Sequence, residues 1–82
     1  MSAAPTLPTD LPAPTPAGIR TAREASGLSG EAAAQLVGLG SRKRWSEYET
    51  GAATIDPIRW AFFLLHTGQH PAYRLARRRA AA

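Results

Sequence analysis

Apolar positions along the chain come in short clusters at helical spacing, divided by glycines, prolines and capping residues. In "PAGIRTAREAS" the spacing puts Ile19, Ala22 and Arg23 on one side of a first helix. Thr15 can cap it, Pro16 suits the first helical position, and Gly27 ends it. Ser29 opens a second helix, "GEAAAQLV", with Glu31 in the first turn and a narrow face of Leu36, Val37 and alanines. Gly38-Leu39-Gly40 reads as a tight turn, with glycines available for positive φ and a leucine to plug the core. Ser41 is expected to cap a third helix, "RKRWSEYE", which stops at Thr50-Gly51. Asp56-Pro57 opens a fourth, "IRWAFFLLHTG", with Gly68 as its stop. After Pro71, "AYRLARRR" reads as a short fifth helix or, because "AYRL" alternates, as an extended segment. The pattern predicts an all-α fold of four to five short helices.

Two helices carry more than a simple core face. In the third, Trp45 and Tyr48 lie three apart and share a face that must turn inward. Arg42, Lys43 and Ser46 then fall on the solvent side, with Arg44 and Glu47 flanking. The fourth helix has two apolar stripes: Ile58, Ala61, Phe62 and Leu65, and Trp60, Phe63 and Leu64. A four-helix core uses one stripe, and the other needs a different cover. The expectation is that Trp60, Phe63 and Leu64, joined by Tyr73 and Leu75, form a dimer interface. The competing possibility is that residues 71–76 fold back over that stripe within one chain.

Composition narrows the function classes. The chain has 82 residues, enough for one small domain. Residues 1–15, with Pro5, Pro8, Pro12 and Pro14 and almost no charge, read as a flexible, disordered proline-rich arm. Residues 16–76 form the folded domain, and residues 77–82 a basic, alanine-rich tail. There is no cysteine, which excludes disulfides and thiolate metal sites, and two histidines are too few for a histidine-only zinc site. No cofactor or metal is expected. The net charge is +4, and nine of the 10 cations are arginine, which suits phosphate and base edges. An anionic partner follows: nucleic acid or a membrane surface. No apolar run reaches the roughly 20 residues of a membrane span, and the N-terminus does not read as a signal peptide. A cytoplasmic location is expected. Ser26, Ser29 and Ser41 read as caps, and neither His66 nor His70 has a catalytic partner, so no enzyme is expected.

The pair "second helix, short glycine-containing turn, third helix" is a helix-turn-helix motif. In that motif the first residues of the third helix meet base edges in the major groove. Arg42 and Lys43 are placed to reach guanine O6 and N7, with Arg44 and Ser46 beside them. Glu47 either accepts from cytosine N4 or pairs with a neighbouring arginine. Ser29 and Ser41, at the positive ends of helices, suit phosphate contacts. The bland alternative is that Arg42, Lys43 and Arg44 are a solvated charge run.

Residues 17 to about 68 resemble the lambda-repressor-like (Cro/CI, or XRE) helix-turn-helix family. The resemblance runs through "IRTAREASGLSGEAAAQLVGLGSRKRWSEYETG" and on to "TIDPIRWAFFLLHTG". Arg20 and Arg23 resemble the basic residues of the family's first helix, and Ala34 stands at its usual small position in the second. Trp45, Tyr48, Glu49 and Gly51 fit the end of its recognition helix, and Glu49 is expected to pair with an arginine of the first helix. The closest likeness is to very small plasmid and phage transcriptional repressors. Two features depart from the pattern: Gly30 stands where the family often has glutamine, and the stretch from Gly38 to Ser41 is one residue longer than the usual turn.

The resemblance implies a homodimeric repressor that binds double-stranded DNA at a palindromic operator. One rival is an antitoxin-like module that grips a second protein through the fourth helix. Another is a basic RNA or membrane binder resting on Arg77, Arg78 and Arg79, which read equally well as a phosphate-binding tail or as solubilising charge.

Overall fold

Each helix begins where the chain supplies a cap and ends where it supplies a turn. The computed structural model describes residues 7–75, which form α1 (Pro16–Ser26), α2 (Gly30–Leu36), α3 (Arg42–Thr50) and α4 (Pro57–His66), with no strand among the described residues. Thr15 Oγ1 accepts from the Gly18 N–H at 2.9 Å, Ser29 Oγ from Ala32 at 3.1 Å and Asp56 Oδ2 from Arg59 at 3.0 Å. Each satisfies a backbone donor that a first turn leaves over. Ser41 differs: it stands at the α3 N-cap but makes no side-chain capping bond. Gly27 and Gly51 close α1 and α3 in the left-handed region, at φ 75° and 87°.

The core lies where α1, α2 and α4 meet the inner face of α3. Trp45 and Phe63 are fully buried at its centre, with ring centroids 5.0 Å apart. Tyr48 meets Trp45 edge-on at 6.0 Å, and Trp60 stacks on Phe63 at 6.0 Å. Ile19 and Ala22 of α1, Ala33 and Ala34 of α2, and Ile55 before α4 complete it. The inward turn of Trp45 and Tyr48 is as the spacing required.

The fourth helix is rotated the other way from the expectation. Trp60, Phe63 and Leu64 are buried inside the single chain, so they offer no surface to a second copy. Ile58 is 71% exposed and Phe62 40%. The two stripes differ chiefly in carrying Trp60 or Ile58, and turning the larger ring inward gains about 1–2 kcal/mol at roughly 25 cal/mol per Å². Hydrogen bonds fix the same rotation: Arg59 Nε donates to the Val37 carbonyl at 3.2 Å, and its Nη1 to Asp56 at 3.0 Å. Tyr73 is half-buried and Leu75 is 52% exposed.

The described segments that flank the helices are irregular. Residues 71–75 form no helix. Residues 7–15 are irregular, as proline dictates, yet they are seated on the body. Leu11 packs against the core, and Pro12 and Pro14 line a small hollow with Ile55, Pro57 and Trp60. The Pro8 carbonyl meets His70 Nε2 at 2.8 Å. A segment with few backbone donors can still cover apolar side chains, and here it covers the outer edge of the Trp60 cluster. The expectations for residues 1–6 and for the 77–82 tail lie outside the described residues.

The rotation of α4 is directly testable. Phe63→Ala should cost about 3–5 kcal/mol, enough to unfold a domain this small. Phe62→Ala should cost under about 1 kcal/mol. Chemical denaturation of both variants checks this, and equal losses would mean that α4 faces the core with its other stripe.

Candidate nucleic-acid interface

The surface worth building from the residues up is the one formed by α2, the turn after it and the first turn of α3. The turn is set by backbone hydrogen bonds. Val37 N–H donates to Ala33 at 3.2 Å, Gly38 N–H to Gln35 at 3.1 Å and Leu39 N–H to Ala34 at 2.8 Å. Gly38 takes φ 78°, which a side chain would resist, and this reverses the chain. Leu39 then packs against the core. The turn therefore holds α3 to α2 at a set angle.

On α3, Arg42, Lys43, Arg44 and Ser46 are exposed while Trp45 and Tyr48 are buried. Arg44 Nη1 lies 3.2 Å from Glu47 Oε1, so the flanking pair neutralise each other. Of Glu47's two sequence readings, the geometry places it beside arginine. Among the described residues, Arg42 and Lys43 form no ion pair. Two free cations thus occupy the first turn of a helix whose N-terminal N–H groups add partial positive charge. Ser41 lies beside them with its hydroxyl uncommitted to a cap. Ser29 stands across a groove lined also by Gly30, Arg42, Trp45, Ser46 and Glu49. The sequence-expected positions Ser29, Ser41, Arg42, Lys43, Arg44, Ser46 and Glu47 all fall on α3 or at the edge it shares with α2.

The inner end of that groove is held by Glu49. Its side chain is 7% exposed. It accepts from Arg23 Nε at 2.6 Å and Nη2 at 3.3 Å, from Arg20 Nε at 3.3 Å and from Trp45 Nε1 at 2.6 Å. Arg23 also donates to the Leu28 carbonyl at 3.1 Å, so one guanidinium spans α3 and the α1–α2 link. Burial alone would push the Glu49 carboxyl up; the hydrogen bonds from Arg23, Trp45 and Arg20, with the Arg23 charge, outweigh it and hold it below its ordinary value. The Arg23 guanidinium is raised by its bond to Glu49. Arg20 and Arg23 are thereby taken up by the scaffold, as the Glu49 pairing expected.

Sequence reasoning missed Arg59, Gln69 and His70. Arg59 fastens α4 to the end of α2, and Gln69 Nε2 donates to the Ala22 carbonyl of α1 at 3.0 Å. Neither contact has a local signal, since the partners are 22 and 47 positions away. Among the described residues there is no cluster able to hold a metal ion, and no helix is long and apolar enough to cross a membrane.

With this geometry in hand, comparison with protein families gives one result: the model described as "Helix-turn-helix domain" matches residues 17–64. That span runs from α1 through most of α4 and exceeds half of the chain, so the protein belongs to the helix-turn-helix family. Neither the curated proteins nor the solved structures contain a match to it.

Glu49 gives a stability prediction with a defined pH dependence. Its folded-state pKa is depressed, so its contribution is fully present above the ordinary carboxylate value of 4.5 and is lost as pH falls through the folded value. Glu49→Gln should cost about 1–3 kcal/mol at neutral pH. The gap between the variant and the parent should close in acid, because the parent then loses the same charge. Urea denaturation from neutral pH downward reads this directly, and a gap independent of pH would contradict it.

Proposed function

We propose that this helix-turn-helix protein is a sequence-specific regulator of transcription, binding a palindromic operator as a homodimer and repressing by occupying it. The family is one of DNA-binding domains, which makes duplex DNA the partner and transcription regulation the role. One observation carries the finer reading. Arg42 and Lys43 project unpaired from the first turn of a helix whose opposite face is locked by Trp45, Tyr48 and Glu49. An ordinary solvated charge run has no such fixed aim.

In this reading Arg42 and Lys43 contact base edges in the major groove, with guanine O6 and N7 the matching acceptors. Ser46 lies on the same exposed face. Ser29 and Ser41 approach phosphates at the edge of the groove, and Arg44, its charge offset by Glu47, stands beside them without reading a base. No catalytic step is involved, and the site of action is the cytoplasm, where the DNA is.

A second copy is the partner we assign to the outer strip of α4. Leu36, Ile58 and Phe62 border one apolar hollow there, with Asp56 and Arg59 on its edge. These two pair with each other at 3.0 Å, so the strip carries no unmatched charge that would repel a second copy. Two half-sites one turn apart, about 34 Å, call for such a pair.

Binding selection on random duplex DNA should return one palindromic site. Arg42→Ala should then lose about 1–3 kcal/mol at one position of that site while folding normally. An equal loss on all sequences would reduce Arg42 to a phosphate contact. Separately, sedimentation should show a dimer that Phe62→Glu converts into a folded monomer with weakened operator binding. A parent protein that stays monomeric well above its operator dissociation constant would remove the assigned partner and favour a different protein on that strip.

A further inference from the structure

His70 is a buried polar residue, 8% exposed, and none of the roles above uses it. Its two ring nitrogens face opposite ends of the chain. Nε2 lies 2.8 Å from the Pro8 carbonyl, 62 positions earlier. Nδ1 receives two backbone N–H groups, those of Ala72 and Tyr73, each at 3.1 Å. A carbonyl oxygen can only accept, so Nε2 carries the proton and donates it. Two N–H groups can only donate, so Nδ1 must present its lone pair. The contacts permit one state of the ring: neutral, with hydrogen on Nε2.

Protonation at Nδ1 has opposite effects on the two sides. The bond from Nε2 to Pro8 becomes charge-assisted and is strengthened. On the other side, a new N–H points at two N–H groups, and both hydrogen bonds are lost. We propose that His70 is a one-sided, proton-operated clasp: neutral, it holds the backbone N–H groups of Ala72 and Tyr73 through Nδ1, and charged, it lets go of those two groups while keeping its hold on the Pro8 carbonyl of the N-terminal arm.

The surroundings fit a local release. His70 N–H and Gln69 N–H both donate to the Leu64 carbonyl, at 3.2 and 2.8 Å, so the residue itself stays anchored to α4 when its outer bonds break. Gln69 is further tied to Ala22 of α1 and to Thr67. Among charged and titratable groups, Tyr73 stands edge-on to the ring at 5.3 Å, while Asp10 lies two residues past Pro8 in sequence and Arg74 directly follows Tyr73.

The test uses the full chain and needs no variant for its first arm. At about pH 7.5, nitrogen NMR should show Nδ1 of His70 unprotonated, and the amides of Ala72 and Tyr73 should be protected from exchange. At about pH 5, after correction for the intrinsic rate, protection at those two amides should fall about tenfold or more while α1 to α4 stay protected. Contact between residue 8 and the His70 ring should persist. His70→Asn keeps a short acceptor without a titrating ring, so the transition should vanish, whereas His66→Gln should leave it intact. A hydrogen on Nδ1 at neutral pH would overturn the proposal. So would protection that does not change between the two pH values, loss of the arm contact in step with the tail, or a transition that follows His66.

Discussion

Glu49 receives hydrogen bonds from Arg20, Arg23 and Trp45 where α1 meets α3, and the aim of the exposed cations on α3 follows from that junction. A carboxylate this enclosed is costly to bury unless its oxygens are satisfied, so it tolerates few arrangements of the helices around it. Trp45 contributes twice: its ring fills the centre of the core, and its N–H fixes the carboxylate four residues on. With one face of α3 held by packing and by charge, the other face is committed to solvent. Arg42 and Lys43 thus present a fixed surface to a partner.

The rest of the molecule supports this junction from behind. Phe63 of α4 stacks on Trp60 and meets Trp45 at a tilt, which carries the position of α4 directly into α3. Arg59 ties α4 to the last turn of α2, and Gln69 ties the segment after α4 to α1. The small residues Ala33 and Ala34 let α2 lie close against the aromatics. In a chain without disulfides, long-range polar contacts of this kind set the mutual rotation of helices that are each only two to three turns long, while the aromatic cluster supplies most of the burial.

The two faces of α4 divide the labour. Its inner face completes the core, and its outer face leaves Ile58 and Phe62 exposed. The segments beyond the helical body meet at His70, which links the arm to the residues after α4 through opposite sides of one ring. The arm and the described residues after α4 thus both connect to the helical body at the C-terminal turn of α4.

Local chemistry in the sequence was enough to determine the four helices and their limits. Thr15-Pro16, Ser29, Asp56-Pro57, Gly27 and Gly51 act on their own neighbours, so a cap or a left-handed turn can be read without knowing the fold. The inward turn of Trp45 and Tyr48, and with it the exposure of Arg42 and Lys43, was legible for the same reason: only one arc of α3 is apolar. On α4 two adjacent arcs are apolar, and periodicity weighs them equally. Which arc faced inward was decided by Arg59 on Val37, by the fit of Trp60 against Phe63, and by the arm lying over both. Residues 7–15 are seated on the body and His70 joins two distant segments, each for a similar reason. Those outcomes depend on partners far away along the chain, and such partners come within reach only once the tertiary structure has formed.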